Sequence, residues 1–199
     1  MKVYGDIRSG NCYKISLILA LIGQRATWVD VDILKGDTQS AEFLALNPNG
    51  KIPVLELDDG SILTESNAIV YYLAKDSDFL PDDHLARSIV LQWQFFEQYT
   101  HEPAIAVARF IRFYQNMPET RRDEYRRCVE KGYKALDVME LQLNKSPFIA
   151  GISASIADIS LFAYTHVADQ ADMSLSEYPA INAWLKRVNT LPGFVAMES

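Results

Sequence analysis

Residues 47–55 read Asn-Pro-Asn-Gly-Lys-Ile-Pro-Val-Leu, and residues 65–69 read Glu-Ser-Asn-Ala-Ile. The first segment predicts a polar turn that enters a strand at Pro53, and the second predicts the start of a helix. Proline cannot donate a hydrogen bond to a sheet, so Pro53 belongs at an edge or in a tight turn. A cis bond there would turn the backbone N–H and C=O of Ile52 outward. We therefore expect a cis bond and an edge on which an extended peptide can dock.

Glu65 and Ser66 give this edge a charged end. The first N–H groups of a helix have no partner within the helix, so Ser66 helps to form a site that attracts a carboxylate. Glu65 beside it can accept an ammonium group. A peptide that carries both groups at one end is a γ-glutamyl peptide such as glutathione. Each piece taken alone also fits an ordinary turn or helix start.

The order and spacing of these pieces resemble the glutathione-binding segment of the cytosolic glutathione transferases. The resemblance implies that Pro53 is cis, that Ile52 holds the cysteinyl part of glutathione, and that Glu65 and Ser66 hold its γ-glutamyl part. In this interpretation Glu65 and Ser66 bind the ligand and do no chemistry.

Two further contacts with glutathione follow from the same resemblance. Lys51 stands where many members of the family have Gln, and it could meet the glycyl carboxylate or the backbone. Gln39 lies where some members have a Lys for that carboxylate. Either side chain could equally be solvated on the surface.

Residues 1–75 alternate strand and helix patterns in the order β-α-β-α-β-β-α. An apolar strand at Val3-Tyr4 precedes helical spacing in residues 15–22, and Asp58-Asp59-Gly60 predicts a hairpin turn. This order is that of a thioredoxin-like domain, a mixed sheet with helices on both faces. We expect this domain to bind glutathione.

Residues 85–199 show helical patterns only and predict an all-α bundle domain, with residues 76–84 as the linker. Ser155 and Asp158 at the start of one pattern form a candidate N-terminal capping box, which also resembles a box in the buried second-domain helix of the family. We assign Asp158 a role in folding. The helical patterns cover about 85–115, 118–144, 155–170 and 180–191.

The turn after the first strand holds the candidates for chemistry. Only the thiolate of glutathione is a good nucleophile, and a donor at a helix N-terminus favours that thiolate. Ser9, Asn11 and Cys12 are the candidates. Ser9 stands five residues before Lys14, as the catalytic residue does in serine-type transferases, so Ser9 is the first choice and Asn11 the second. Cys12 is off that position and reads as a packing residue.

Composition excludes several classes of function. The chain of 199 residues has a net charge of −7, which argues against nucleic acid as a partner. Two distant cysteines and three histidines lack the spacing of metal ligands, so no metal is expected. No apolar run reaches about 18 residues, and a strand pattern follows Met1 directly. We expect neither a membrane span nor a signal peptide, and a cytoplasmic protein.

The resemblance implies an enzyme that activates the thiol of glutathione, its co-substrate, and transfers it to a small electrophile, as in detoxification. It also implies a homodimer. A glutathione-dependent disulfide reductase or peroxidase of the same fold stays open, as does a non-catalytic interaction module. The sequence does not identify the electrophile. Residues on the first bundle helix that could face the electrophile are Tyr99, His101 or Arg109.

Overall fold

The structure is a computed structural model that describes residues 1–197. It forms two compact units. The first unit comprises Met1–Ser77 together with the segment that begins at Leu191, and the second unit is Asp78–Thr190. The predicted fold class, a thioredoxin-like domain plus a helical domain, is confirmed.

The first unit contains a four-stranded mixed sheet in the order β2-β1-β3-β4. β1 runs parallel to β2 and antiparallel to β3, which pairs with β4 in an antiparallel hairpin. The predicted succession of elements is confirmed. The elements are β1 (Lys2–Gly5), α1 (Gly10–Leu21), β2 (Thr27–Asp30), α2 (Ala41–Leu46), β3 (Val54–Glu56), β4 (Ile62–Leu63) and α3 (Ser66–Leu73).

Apolar side chains of the helices fix the sheet from two sets of contacts. Phe43 of α2 packs with Val31 and Val54 in one cluster. α1 contacts α3, and Ile15 and Ile69 on these helices are fully buried. This packing holds the N-termini of α1 and α3 in a fixed relation, which positions the polar residues described below.

The second unit is built mainly from helices and helical turns, with one isolated antiparallel β-bridge between Phe148 and Gly151 among the described residues. A 3₁₀ turn over Glu119–Arg121 precedes one long helix, and another over Ala168–Ala171 follows the next helix. The helices are α4 (His84–Phe96), α5 (Glu102–Arg109), α6 (Arg122–Leu143), α7 (Ile156–Thr165) and α8 (Pro179–Asn189).

The helical pattern over 85–115 becomes α4 and α5 with a π-helical segment after each. The segments span Glu97–His101 and Phe110–Tyr114. Pro103 in the first turn of α5 has no N–H to continue the regular ladder, which accounts for the wider turn just before it.

The predicted capping box at the start of α7 is confirmed. The carboxylate of Asp158, which is fully buried, accepts the Ser155 N–H at 2.9 Å and the Ile149 N–H at 2.8 Å. It also accepts the Ser155 hydroxyl and the indole N–H of Trp184, each at 2.9 Å. The bond from Trp184 on α8 has no counterpart in the sequence prediction, because it depends on how two helices cross.

The segment that begins at Leu191 differs from the predicted boundaries, which assigned residues 85–199 to the helical domain. Its backbone is held to α1, because the Tyr13 hydroxyl donates to the Val195 C=O at 2.8 Å. Gly193 has a φ of 86°, and a Cβ there would lie 2.8 Å from the Ala20 carbonyl oxygen. The other boundaries, 1–75 and the linker 76–84, stay a prediction.

Candidate active site in the first unit

A buried asparagine holds the turn that leads to Pro53. Asn47 Nδ2 donates to the Lys51 C=O at 2.7 Å, and Asn47 Oδ1 accepts the Asn49 N–H at 3.1 Å. Gly50 has a φ of 61°, a conformation that glycine adopts at no steric cost. The turn therefore has a fixed shape rather than that of a mobile loop.

The Ile52–Pro53 bond is cis, as predicted. Ile52 is half-buried, and neither its N–H nor its C=O has a hydrogen-bond partner within residues 1–197. An extended ligand can pair with both groups, since main-chain hydrogen bonds are how a peptide adds to a sheet edge.

Glu65 and Ser66 form the start of α3. Glu65 is exposed and has a φ of 65°, an uncommon conformation for a residue with a Cβ. Ser66 is the first residue of the helix and only 5% exposed. Strained backbone of this kind clusters at ligand sites, where it directs a side chain that regular geometry would turn elsewhere.

Ser9 and Asn11 lie at the start of α1. Ser9 caps this helix by accepting the Cys12 N–H at 3.5 Å, a role that does not use its hydroxyl proton. Asn11 Oδ1 accepts the Ser66 hydroxyl at 3.2 Å. The structure thus brings one predicted catalytic residue and one predicted binding residue into direct contact, and with them the N-termini of two helices.

Cys12 is fully buried, and burial raises the pKa of its thiol to about 12. A thiol with that pKa stays protonated at neutral pH and is a poor nucleophile. A Cβ on Gly5 would lie 2.6 Å from the Cys12 sulfur, which shows how closely the first strand packs on this side chain. Cys12 is a packing residue, in agreement with the sequence interpretation.

Lys14 is the residue of this site that sequence reasoning missed. Its side chain is fully buried, and Nζ lies 3.2 Å from Ser66 Oγ and 3.4 Å from Asn67 Oδ1. A signal was present in the sequence. Lys14 is four residues before Ile18 and seven before Leu21, on the apolar stripe of α1, where a lysine is unusual.

Gln39 and Lys51 flank the turn and are both exposed. Gln39 Nε2 donates to Thr38 Oγ1 at 3.3 Å, and a Cβ on Gly50 would lie 2.7 Å from it. Both side chains can therefore approach a ligand on this edge, although neither is tied to the Ser66 region by a contact.

Two of the three residues considered as possible contacts of the electrophile lie instead in the interior of the second unit. His101 is fully buried, with Nε2 2.9 Å from Thr165 Oγ1. Arg109 is 3% exposed and donates through Nε to Gln170 Oε1 at 2.7 Å. Their helical positions turn inward, which spacing alone did not reveal. Tyr99 is 88% exposed.

The local electrostatics favour an anion. The starts of α1 and α3 meet at the Asn11–Ser66 contact, so two helix N-termini direct their partial positive charge to one place. The ammonium of Lys14 lies just beneath. Among the described residues no group of three or more His, Cys, Asp or Glu is placed to hold a metal. Within residues 1–197 no helix has the length and apolarity to cross a membrane.

Comparison with known proteins finds similarity to one family in both halves of the chain. A family model for the glutathione S-transferase N-terminal domain matches residues 8–76, and one for the C-terminal domain matches residues 103–192. The crystal structure of a glutathione S-transferase from Pseudomonas fluorescens Pf-5 is 61% identical, with a TM-score of 0.97 over 100% of this chain and 98% of that one.

Two curated relatives are similar over most of their length. Glutathione S-transferase 2 of Anopheles gambiae is 31% identical over 96% of this chain and 91% of the relative. The disulfide-bond oxidoreductase YfcG of Escherichia coli K12 is 30% identical over 92% of this chain and 87% of the relative.

Proposed function

Because the chain belongs to the glutathione S-transferase family, we propose that it is an enzyme that binds glutathione at the edge formed by Ile52, Glu65 and Ser66 and transfers it to a small electrophile. The observation that carries this proposal is the Asn11–Ser66 contact. It joins the residues proposed for the thiol to those proposed for the γ-glutamyl group, at a distance that one small peptide can span.

Each proposed contact has its own support. Ile52 offers a backbone donor and acceptor that the protein does not use within residues 1–197. The N–H groups at the start of α3 suit the γ-glutamyl carboxylate, and the exposed carboxylate of Glu65 suits the ammonium. Lys51 and Gln39, both exposed beside the turn, are the residues proposed to meet the glycyl carboxylate.

The chemistry proposed is stabilisation of the thiolate. A thiol with a pKa near 8.5 is only a few per cent ionised at pH 7, and lowering that pKa by about 2 units requires about 2.7 kcal/mol. The Ser9 hydroxyl at the N-terminus of α1, which also hydrogen-bonds the buried Cys12 thiol, would donate its proton to the sulfur of bound glutathione, and the helix dipole adds to its effect. Asn11 is the second candidate for this role.

Isothermal calorimetry with glutathione tests the proposal. We expect binding at millimolar ligand or below, together with conjugation of an aryl halide that depends on the protein. No heat of binding at millimolar glutathione would reject the enzyme and favour the non-catalytic interaction module.

A disulfide reductase is the second candidate function, favoured by the similarity to the oxidoreductase YfcG. In that reaction bound glutathione thiolate attacks a mixed disulfide, and the leaving thiolate takes up a proton. Asn11 would then carry more of the thiolate stabilisation than Ser9. Parallel assays with an aryl halide and with a glutathione mixed disulfide separate the two reactions.

A homodimer is proposed as well. Large apolar side chains on one stripe of α4 and the turn after it are strongly exposed, with Leu85 at 69%, Phe95 at 71% and Tyr99 at 88%. A second copy of the chain would bury such a stripe. Light scattering at micromolar concentration would contradict this proposal if it found a monomer alone.

We also propose a cytoplasmic location and a role in detoxification. Cys12 and Cys128 are both free, as suits a compartment that glutathione keeps reducing. Cell fractionation checks the location, and the sensitivity of a deletion strain to electrophiles checks the role.

A further inference from the structure

We infer that Lys14 is a positioning residue that orients Asn11, through the hydroxyl of Ser66, toward the sulfur of bound glutathione. The inference rests on the proposed function, since it concerns the same site. It adds a buried cation and a directed chain of hydrogen bonds, the polar relay formed by Lys14, Ser66 and Asn11.

The donors and acceptors of the polar relay run in one direction only. An ammonium has donors and no acceptor, so Ser66 Oγ must accept from Lys14 Nζ at 3.2 Å. The hydroxyl of Ser66 has a single proton, and it goes to Asn11 Oδ1 at 3.2 Å. Because Oδ1 of Asn11 is held by Ser66, the plane of the Asn11 carboxamide is fixed. Its donor end, Nδ2, then points away from the Ser66 hydroxyl.

Burial makes the charge of Lys14 effective. A fully buried lysine is rare, and an apolar side chain would occupy this stripe of α1 at lower cost. In a low-dielectric interior a cation polarises the hydrogen bonds that lead away from it, so the Nδ2 group of Asn11 becomes a stronger donor. The relay therefore favours a thiolate beside Asn11, and the thiol proton goes to solvent.

The polar relay also divides the functions of Ser66. Its hydroxyl is committed to Lys14 and Asn11, whereas its backbone N–H at the start of α3 is among those that attract the γ-glutamyl carboxylate. Ser66 thus affects both the affinity for glutathione and the ionisation of the thiol, while Glu65 affects affinity alone.

The test measures the pKa of the thiol of bound glutathione by the ultraviolet absorbance of the thiolate. Lys14→Met keeps an unbranched apolar stem but removes the donor and the charge, and we expect it to raise this pKa by about one unit. Asn67→Ala removes a second contact of Lys14 Nζ and keeps Lys14, Ser66 and Asn11 in place, so it should leave the pKa at the wild-type value.

A double-mutant cycle separates the relay from a purely structural role. If Lys14 acts through Asn11, the double variant Lys14→Met/Asn11→Ala shifts the pKa no further than Asn11→Ala alone. Additive shifts, or a wild-type pKa in Lys14→Met, would overturn the inference. Should Lys14→Met fail to fold, Ser66→Ala interrupts the same relay and must raise the pKa in its place.

Failure of the proposed function gives a different result. In that case wild-type protein binds no glutathione at millimolar ligand, and the thiolate absorbance follows the pKa of free glutathione at every protein concentration. A wild type that ionises glutathione normally while Lys14→Met and Ser66→Ala do the same would reject the relay alone.

Discussion

Lys14 in the first unit and Asp158 in the second unit are both fully buried charges near the start of a helix, yet their surroundings differ. The carboxylate of Asp158 accepts four hydrogen bonds, all from buried groups of its own unit. Lys14 contacts Asn67 and Ser66, and its bond to Ser66 continues to the half-buried Asn11. We call the Asp158 cluster closed, because its hydrogen bonds all come from buried groups, and such a cluster stabilises a fold. We call the Lys14 cluster open, because it leads to a partly exposed group, and such a cluster can act on a ligand.

Asp158→Ala should have the largest effect of any change considered. It leaves the N–H groups of Ile149 and Ser155 and the indole of Trp184 buried without an acceptor, and each such group costs about 1–3 kcal/mol. We expect the free energy of unfolding to fall by about 3 kcal/mol or more, measured by urea denaturation.

The matched control is Asp123→Ala on α6, where the carboxylate is 81% exposed and paired only with Arg126. That variant should lose less than about 1 kcal/mol. Equal losses in the two variants would mean that burial of the cluster does not distinguish it from a surface ion pair.

Glu65→Gln tests the proposed glutathione site of the first unit, where the open cluster lies. Loss of a charge-assisted hydrogen bond costs about 1.5–3 kcal/mol, so the affinity for glutathione should fall by about ten-fold or more, measured by calorimetry. Glu65 is exposed, and we expect the free energy of unfolding to change little. Glu42→Gln, an exposed carboxylate on α2, is the control, and unchanged affinity in Glu65→Gln would place the ligand elsewhere.

The closed cluster was the easier of the two to predict from sequence. Ser155 and Asp158 are three residues apart at the start of an apolar helix, and a capping box depends on local spacing alone. The bond from Trp184 was not predictable, because it joins residues 26 positions apart and depends on packing. The order of strands and helices followed in the same way from periodicity and turn residues.

The polar relay escaped prediction for the same physical reason. Lys14 and Ser66 are 52 residues apart, and only the packing of α1 on α3 brings them together. The sequence identified Ser66 and Asn11 separately, from helix starts and from the resemblance, without the contact between them. His101 and Arg109 show the converse, since aromatic and polar spacing on a long helix does not reveal which face is buried.

Ser9→Ala should change the chemistry with little effect on affinity. If its hydroxyl donates to the sulfur, the variant raises the pKa of bound glutathione and lowers turnover of an aryl halide, by about ten-fold for each pKa unit at low pH. The loss should shrink as the pH rises above the new pKa, because the thiolate then forms without help.

The pH–rate profile of Ser9→Ala decides between the catalytic candidates. A profile identical to that of wild type would transfer the role to Asn11, and Asn11→Ala should then show the loss instead. With a mixed disulfide as substrate we expect Asn11→Ala to be the more damaging of the two changes.

His166 should produce the smallest effect, and it belongs to the closed interior of the second unit. Its Nδ1 lies 2.8 Å from the Phe162 carbonyl oxygen, and its ring stacks on that of Phe162 at 4.7 Å between centroids. Burial lowers the pKa of His166 below its ordinary value of 6.5. The unfolded chain therefore binds a proton near pH 6.5 that the folded chain refuses, so this residue destabilises the fold as the pH falls below that value and has no effect well above it.

The free energy of unfolding, measured between about pH 5 and 8, should fall less steeply toward acid in His166→Gln than in wild type, by at most about 1.4 kcal/mol per pH unit. Parallel profiles for wild type and His166→Gln would contradict the predicted destabilisation by His166 at acid pH. An altered thiol pKa of bound glutathione in His166→Gln would show that the interior of the second unit also affects the ligand site.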